Sequence, residues 1–160
     1  MEAVRVPGRP LGLVHPGGRL PTKRWPVERF TALLRDHLAD TPLAVIRPPD
    51  SPAPELVSPL HRWVDTPDFA QLTSAVAAAD FVLCNDSLVS HLGAALGRRV
   101  YTIFGSGNPH WFAPFANADR VIATEVCPFR PCIDRCLQPS PICLESITVE
   151  SVAASLQAET

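Results

Sequence analysis

The sequence has no long apolar run, no block of charge of one sign and no apolar stretch among its first ten residues. No stretch approaches the roughly 20 apolar residues of a membrane-spanning helix. Lys and Arg number 14 against 16 Asp and Glu, a formal net charge of −2. That balance shows neither the basic stripe of a nucleic-acid binder nor a charged tail. Residues 1–10 carry arginines, prolines and a glycine where a signal peptide would have an apolar centre. A cytoplasmic location is the expectation that follows. Internal repeats and low-complexity tracts are also missing.

What is present fits one globular α/β domain. The chain has 160 residues, of which 46% are hydrophobic, enough for a real core and too few for two domains of ordinary size. Its 18 prolines gather at 7–10, 48–54 and 128–141, outside the periodic segments. Residues 1–10 read as a linker-like N-terminus and 11–160 as the domain, with a cysteine-rich loop at 127–143.

Short apolar runs alternate with helical periodicity. Leu11–His15 predicts a buried strand that ends in Pro16-Gly17-Gly18. Pro26 suits a first helical turn, and Phe30, Leu33, Leu34 and Leu38 recur at helical spacing. Leu43–Ile46 predicts a strand, Glu55–Leu60 one or two helical turns, and 62–64 a third strand. Thr66-Pro67-Asp68 predicts a helix start with Thr66 as the cap and Phe69, Leu72 and Val76 facing the core. Phe81–Cys84 and Val100–Phe104 predict two more buried strands, with a helix over 87–96 between them. A strand at 121–123 and a helix at 148–157 complete the series. The alternation predicts a Rossmann-like parallel sheet with helices on both faces. Ligands of such sheets bind beyond the carboxyl ends of the strands, which places the site on loops 15–25, 84–91 and 104–111.

The most informative stretch runs from Asn85 to Gly97. It leaves a buried strand and opens a helix, where free N–H groups and the helix dipole favour an anion. Ser87 adds a hydroxyl, and His91 lies one turn further on the same face. A second reading stays open: Asp86 or Ser87 only caps the helix and His91 is structural.

The stretch resembles the signature of the family 9 glycosyltransferases, the heptosyltransferases: Asp, a hydroxyl residue, Gly, two variable positions, His, then an alanine-rich helix. Val14-His15-Pro16-Gly17-Gly18 with Lys23-Arg24-Trp25-Pro26 resembles the family's opening strand, glycine loop and Lys-x-Trp-Pro segment. Phe104-Gly105-Ser106-Gly107-Asn108-Pro109 resembles its later Gly-x-x-x-Pro loop, and Cys127–Cys143 its cysteine-containing tail. The likeness runs from about residue 11 to 156.

The resemblance implies the C-terminal half of a two-domain GT-B fold, the half that binds an ADP-heptose-like nucleotide-sugar donor for transfer to lipopolysaccharide core or a similar acceptor. It assigns donor contacts to Lys23, Asp86, Ser87, Leu88 and His91, with Gly17, Gly18, Gly105 and Ser106 in the donor loops. Lysine as a compact charge suits a diphosphate leaving group, although one lysine in a loop is also read as merely solvated. Leu88 stands where the family has glycine, which allows close approach or a positive φ. The acceptor domain and its catalytic acid have no counterpart here, so no catalytic residue is assigned. Three readings follow: a donor domain of an enzyme, a catalytically inactive nucleotide-binding module or remnant, or a partner of a separately encoded N-terminal acceptor domain.

Cys127, Cys132, Cys136 and Cys143 form a four-thiol loop that fits zinc or iron, disulfides or free thiols. The spacing is looser than paired Cys-x2-Cys motifs. Some family members acting on autotransporters carry iron on four cysteines, so the resemblance implies a metal here, although no cofactor is required. Cys84 reads as a small buried hydrophobe. Trp111 and Phe112 suit stacking on a base, an apolar patch or the core. Glu55 falls near a ribose-binding acid of the family, in a segment that matches poorly.

Overall fold

A computed structural model describes residues 4–158. Residues 1–3 of the linker-like segment and 159–160 of the domain lie outside the described part. Six strands form one sheet in the order β3-β2-β1-β4-β5-β6, and every neighbouring pair is parallel. They are β1 (Gly12–His15), β2 (Leu43–Ile46), β3 (His61–Val64), β4 (Phe81–Asn85), β5 (Arg99–Ile103) and β6 (Val121–Ile122). The central strands are apolar because both faces are covered: β2 and β4 are buried throughout.

Two cores flank the sheet. On one face α1 (Val27–Asp36) and α6 (Val149–Gln157) bury Phe30, Leu33, Leu34 and Val152 against Val14, Val45 and Leu83. On the other α2 (Phe69–Ala78) and α3 (Leu88–Ala95) bury Ala75, Val76 and Val89 against Leu13, Ala44 and Val82. Successive β4 residues alternate between the two cores, as a pleated strand requires. Helices on both faces of a parallel sheet are therefore as the apolar pattern predicts.

Several local expectations are corrected. Glu55–Leu60 forms no helix. Prolines at 52, 54 and 59 remove donors, and the segment is instead pinned in place: Thr31 Oγ1 accepts from Glu55 N at 3.1 Å and Ser58 Oγ donates to the Ala39 carbonyl at 2.6 Å. The cap of α2 is Asp68, not Thr66; its carboxylate accepts from Gln71 N at 2.8 Å. Phe69 is thereby the first residue of α2, and it is 60% exposed rather than facing the core. Two one-turn helices, α4 (Pro109–Phe112) and α5 (Ile142–Glu145), and two 3-10 turns, Pro21–Lys23 and Phe115–Arg120, carried no periodic signal.

Residues 4–9 lie against the domain. Val4 is buried, Arg5 donates to the Ala78 carbonyl at 2.6 Å and pairs with Asp80 at 3.4 Å, and Arg9 donates to the Asp40 carbonyl at 2.9 Å.

The chain runs outward from β1 to β3, crosses back to β4, and then proceeds the other way. The order therefore reverses between β1 and β4, and the loops that leave their carboxyl ends diverge to open a crevice.

Candidate functional site

A cleft of ≈ 790 Å³ occupies that crevice, within the range of small-molecule sites. His15 enters it from the end of β1, Gly17, Gly18 and Lys23 from the following loop, and Asp86, Ser87, Leu88 and His91 from the start of α3. Every donor contact expected from the resemblance is thus gathered here. Gly105 and Ser106 stand behind the wall instead. Ser106 is buried, and a Cβ on Gly105 would lie 2.7 Å from the Thr22 carbonyl.

Asn85 holds the two main loops together. Its buried amide donates to the carbonyls of Pro16 and Gly17 at 2.8 and 3.0 Å, while its Oδ1 accepts from Trp25 N at 3.1 Å. One side chain at the end of β4 thereby fixes the glycine loop and the segment carrying Lys23. The Trp25 indole donates to the Ile147 carbonyl at 3.0 Å and packs edge-on against Phe30, which anchors that segment to the core.

Lys23 is the chain's sole lysine. Its Nζ lies 2.6 Å from Asp86 Oδ2, with side-chain exposures of 18% and 5%. The contact is an ion pair without a directed hydrogen bond to that oxygen. It holds the ammonium at the floor of the cleft, 5.6 Å from the ring of Phe112. Gly107 makes room for it: a Cβ there would stand 2.7 Å from Asp86 Oδ2. Arg24 is occupied in bracing the loop, donating to the Gly18 carbonyl at 2.6 Å.

Ser87 is the N-cap residue of α3, yet its side chain makes no capping bond. Its hydroxyl instead lies 3.5 Å from His15 Nδ1. Burial pushes the His15 imidazole down to about 4, so the ring is neutral near pH 7 and one of its two nitrogens carries a lone pair. Leu88 has none of the positive φ that glycine would serve. Its side chain is 59% exposed at the mouth of the cleft.

Some of the wall was not expected. Pro48, Pro49, Asp50 and Ser51 supply one side, and Ile133 and Asp134 of the thiol loop another. The thiol loop is stapled to the loops that follow β1 and β5: Thr22 Oγ1 and Ser106 Oγ both donate to the Ile133 carbonyl, at 2.7 and 2.8 Å. No periodicity marks such a wall. His15, by contrast, had a readable signal, a polar residue closing an apolar strand directly before Pro-Gly-Gly. Glu55 lies outside the cleft lining. Trp111 and Phe112 are not core residues; they are 67% and 38% exposed. All four loop thiols are free, Cys127 and Cys143 buried and Cys132 and Cys136 half-buried. Cys84 is fully buried as expected.

No helix among the described residues is long and apolar enough to cross a membrane. No curated protein matches the chain. Solved structures with the same fold include E. coli ADP-heptose LPS heptosyltransferase II, at 21% identity over 98% of this chain and 48% of that one, TM-score 0.73. E. coli heptosyltransferase WaaC with ADP aligns at 17% identity over 98% of this chain and 46% of that one, TM-score 0.68. The dodecameric iron-containing heptosyltransferase TibC in complex with ADP-D-beta-D-heptose aligns at 17% identity over 95% and 45%, TM-score 0.70. The chain spans about half the length of each. The model of glycosyltransferase family 9 (heptosyltransferase) matches residues 2–136. With that match over most of its length and a sheet of the heptosyltransferase kind, the chain belongs to glycosyltransferase family 9.

Proposed function

We propose that this chain is the donor-binding domain of a glycosyltransferase, holding an ADP-heptose-like nucleotide sugar in the β1/β4 cleft for transfer to lipopolysaccharide core or a similar acceptor. The carrying observation is the Lys23–Asp86 pair, 2.6 Å apart beside the side-chain-uncapped start of α3. Lys23 meets the diphosphate and the negative charge that grows on it as the sugar departs. The first N–H groups of α3 complete the phosphate cradle, with Ser87 beside them and His91 at the rim. The acceptor and its catalytic acid belong to a second domain, continuous with this one or separately encoded, in the cytoplasm. The solved relatives named with ADP and with ADP-heptose support this reading.

A second reading, an inactive nucleotide-binding module, is favoured by one feature: the Leu88 side chain at the cleft mouth. Calorimetry separates the two. On the donor reading the natural chain binds ADP in preference to UDP, and Leu88→Gly changes the affinity by less than about threefold. Affinity that appears only in Leu88→Gly establishes the inactive module.

The resemblance also suggests a metal on Cys127, Cys132, Cys136 and Cys143. The fit is incomplete. The Cys132 thiol senses Cys136 and Cys127, and the Cys143 thiol senses Cys127 and Cys132, but no three ligating side chains among the described residues stand ready to hold an ion. Burial raises both thiols, so binding must displace their protons. Elemental analysis of the purified chain decides it. About one zinc or iron per chain, lost in Cys136→Ser, is the expected result; metal-free protein with all thiols titratable removes the proposal.

A further inference from the structure

Three other helices of this chain are capped by their own N-cap side chains. Asp68 accepts from Gln71 N at 2.8 Å, Asn108 from His110 N at 2.9 Å and Thr148 from Ser151 N at 3.1 Å. Ser87 is of the same capping type and has the extended backbone of a cap, φ −156° and ψ 175°, yet its side chain makes no such bond. A capping serine accepts from the second or third N–H of its helix. Here the third, Ser90 N, bonds the Ser87 carbonyl at 3.1 Å, and the Ser87 hydroxyl has turned to His15 Nδ1 at 3.5 Å. The first two N–H groups, of Leu88 and Val89, precede any carbonyl the helix itself can offer.

The His15 ring is held in place to do this. It sits at the end of β1, against Gly17, where a Cβ would stand 3.2 Å from Nε2. The Gly17 carbonyl is itself fixed by Asn85 at 3.0 Å. Burial keeps the imidazole neutral, and in the tautomer with its proton on Nε2 the Nδ1 lone pair takes the serine proton.

We propose that His15 is a positioning residue: by holding the Ser87 hydroxyl on Nδ1 it prevents Ser87 from capping α3 and keeps the Leu88 and Val89 N–H groups open for a ligand's phosphate oxygens. The capping half of this statement stands on the contacts alone. The ligand half rests on the donor-site reading. Removing the acceptor frees the hydroxyl to fall back on its own helix and close the N-terminus.

The test uses the full chain, amide hydrogen exchange resolved at residues 88–90, and calorimetry with ADP. His15→Leu removes the acceptor, and Val89 exchange is expected to slow about fivefold as Ser87 takes up the cap. Affinity for ADP falls by about the same factor. His15→Asn, whose side-chain carbonyl can accept from Ser87, restores both, which also controls for misfolding of the leucine variant. In a Ser87→Ala background, His15→Leu leaves Val89 exchange unchanged. The proposal is overturned if exchange at Val89 is the same in the natural chain and His15→Leu, or if ADP binds both equally. If the natural chain binds no ADP, the donor-site reading fails, while the exchange measurement still decides the capping role.

Discussion

Lys23→Met is expected to lower the unfolding free energy by about 3 kcal/mol, because it strands the Asp86 carboxylate in a nearly closed site. The side chain of Asp86 is 5% exposed and no other cation is paired with it among the described residues. Asp86→Asn should cost less, since the ammonium left behind is 18% exposed and can turn toward the cleft. The double variant Lys23→Met/Asp86→Asn should regain most of the loss, because neither charge is then left unmatched. Binding follows a different order. Lys23→Met and the double variant should both weaken ADP by about thirtyfold, the scale of a lost charged contact. Urea denaturation and calorimetry on the three variants separate the roles. If Lys23→Met is as stable as the natural chain, the pair is not what holds Asp86. If the double variant binds ADP normally, Lys23 is not a phosphate ligand. As the only lysine, Lys23 can also be acetylated selectively apart from the N-terminus, an independent check.

Stability should fall steeply in mild acid. A histidine of ordinary pKa near 6.5 in the unfolded chain drops to about 4 at His15 when the fold buries it. Protons therefore bind the unfolded chain in preference. Above about pH 6.5 the ring is neutral in both states and the fold bears no penalty. As pH falls from 6.5 toward 4 the penalty grows, reaching about 3 kcal/mol when both states are protonated. His61, also lowered by burial, pushes in the same direction. Urea unfolding at pH 7, 5.5 and 4 measures the slope, and His15→Leu should flatten it. An unchanged slope in that variant would place the acid sensitivity elsewhere.

The sheet was legible because its strands are buried on both faces. Leu43–Ile46 reads as a strand from its apolar run and is one, and the α3 and α6 boundaries follow from Ser87 and Thr148. Local competition between signals set the errors. Thr66 and Asp68 both offer a cap, and the carboxylate wins. Proline-rich 52–59 has helix-compatible residues between its prolines, but its side-chain contacts favour extended chain. That Lys23, Asp86, Ser87 and His91 line one cleft was readable because the motif and the sheet rule both point to the β1 and β4 ends. Their arrangement was not. Nothing in the sequence pairs Lys23 with Asp86 or turns Ser87 toward His15, since these contacts span 63 and 72 positions and depend on strand register. Asn85 shows the same limit: as a letter it ends a strand, and in space it ties two loops together.

The staple at Ile133 bears on the order in which a growing chain acquires its parts. All six strands are encoded by residue 122, but the core on one face of the sheet is completed only by Leu144, Ile147 and α6. The cleft also waits for the tail. Its wall includes Ile133 and Asp134, and the Thr22 hydroxyl has no Ile133 carbonyl to meet until 111 further residues have been added. A nascent chain halted just past β6 would hold its strands without α6 or its ligand site, and ligand rescue of such a chain would begin only once the tail had docked.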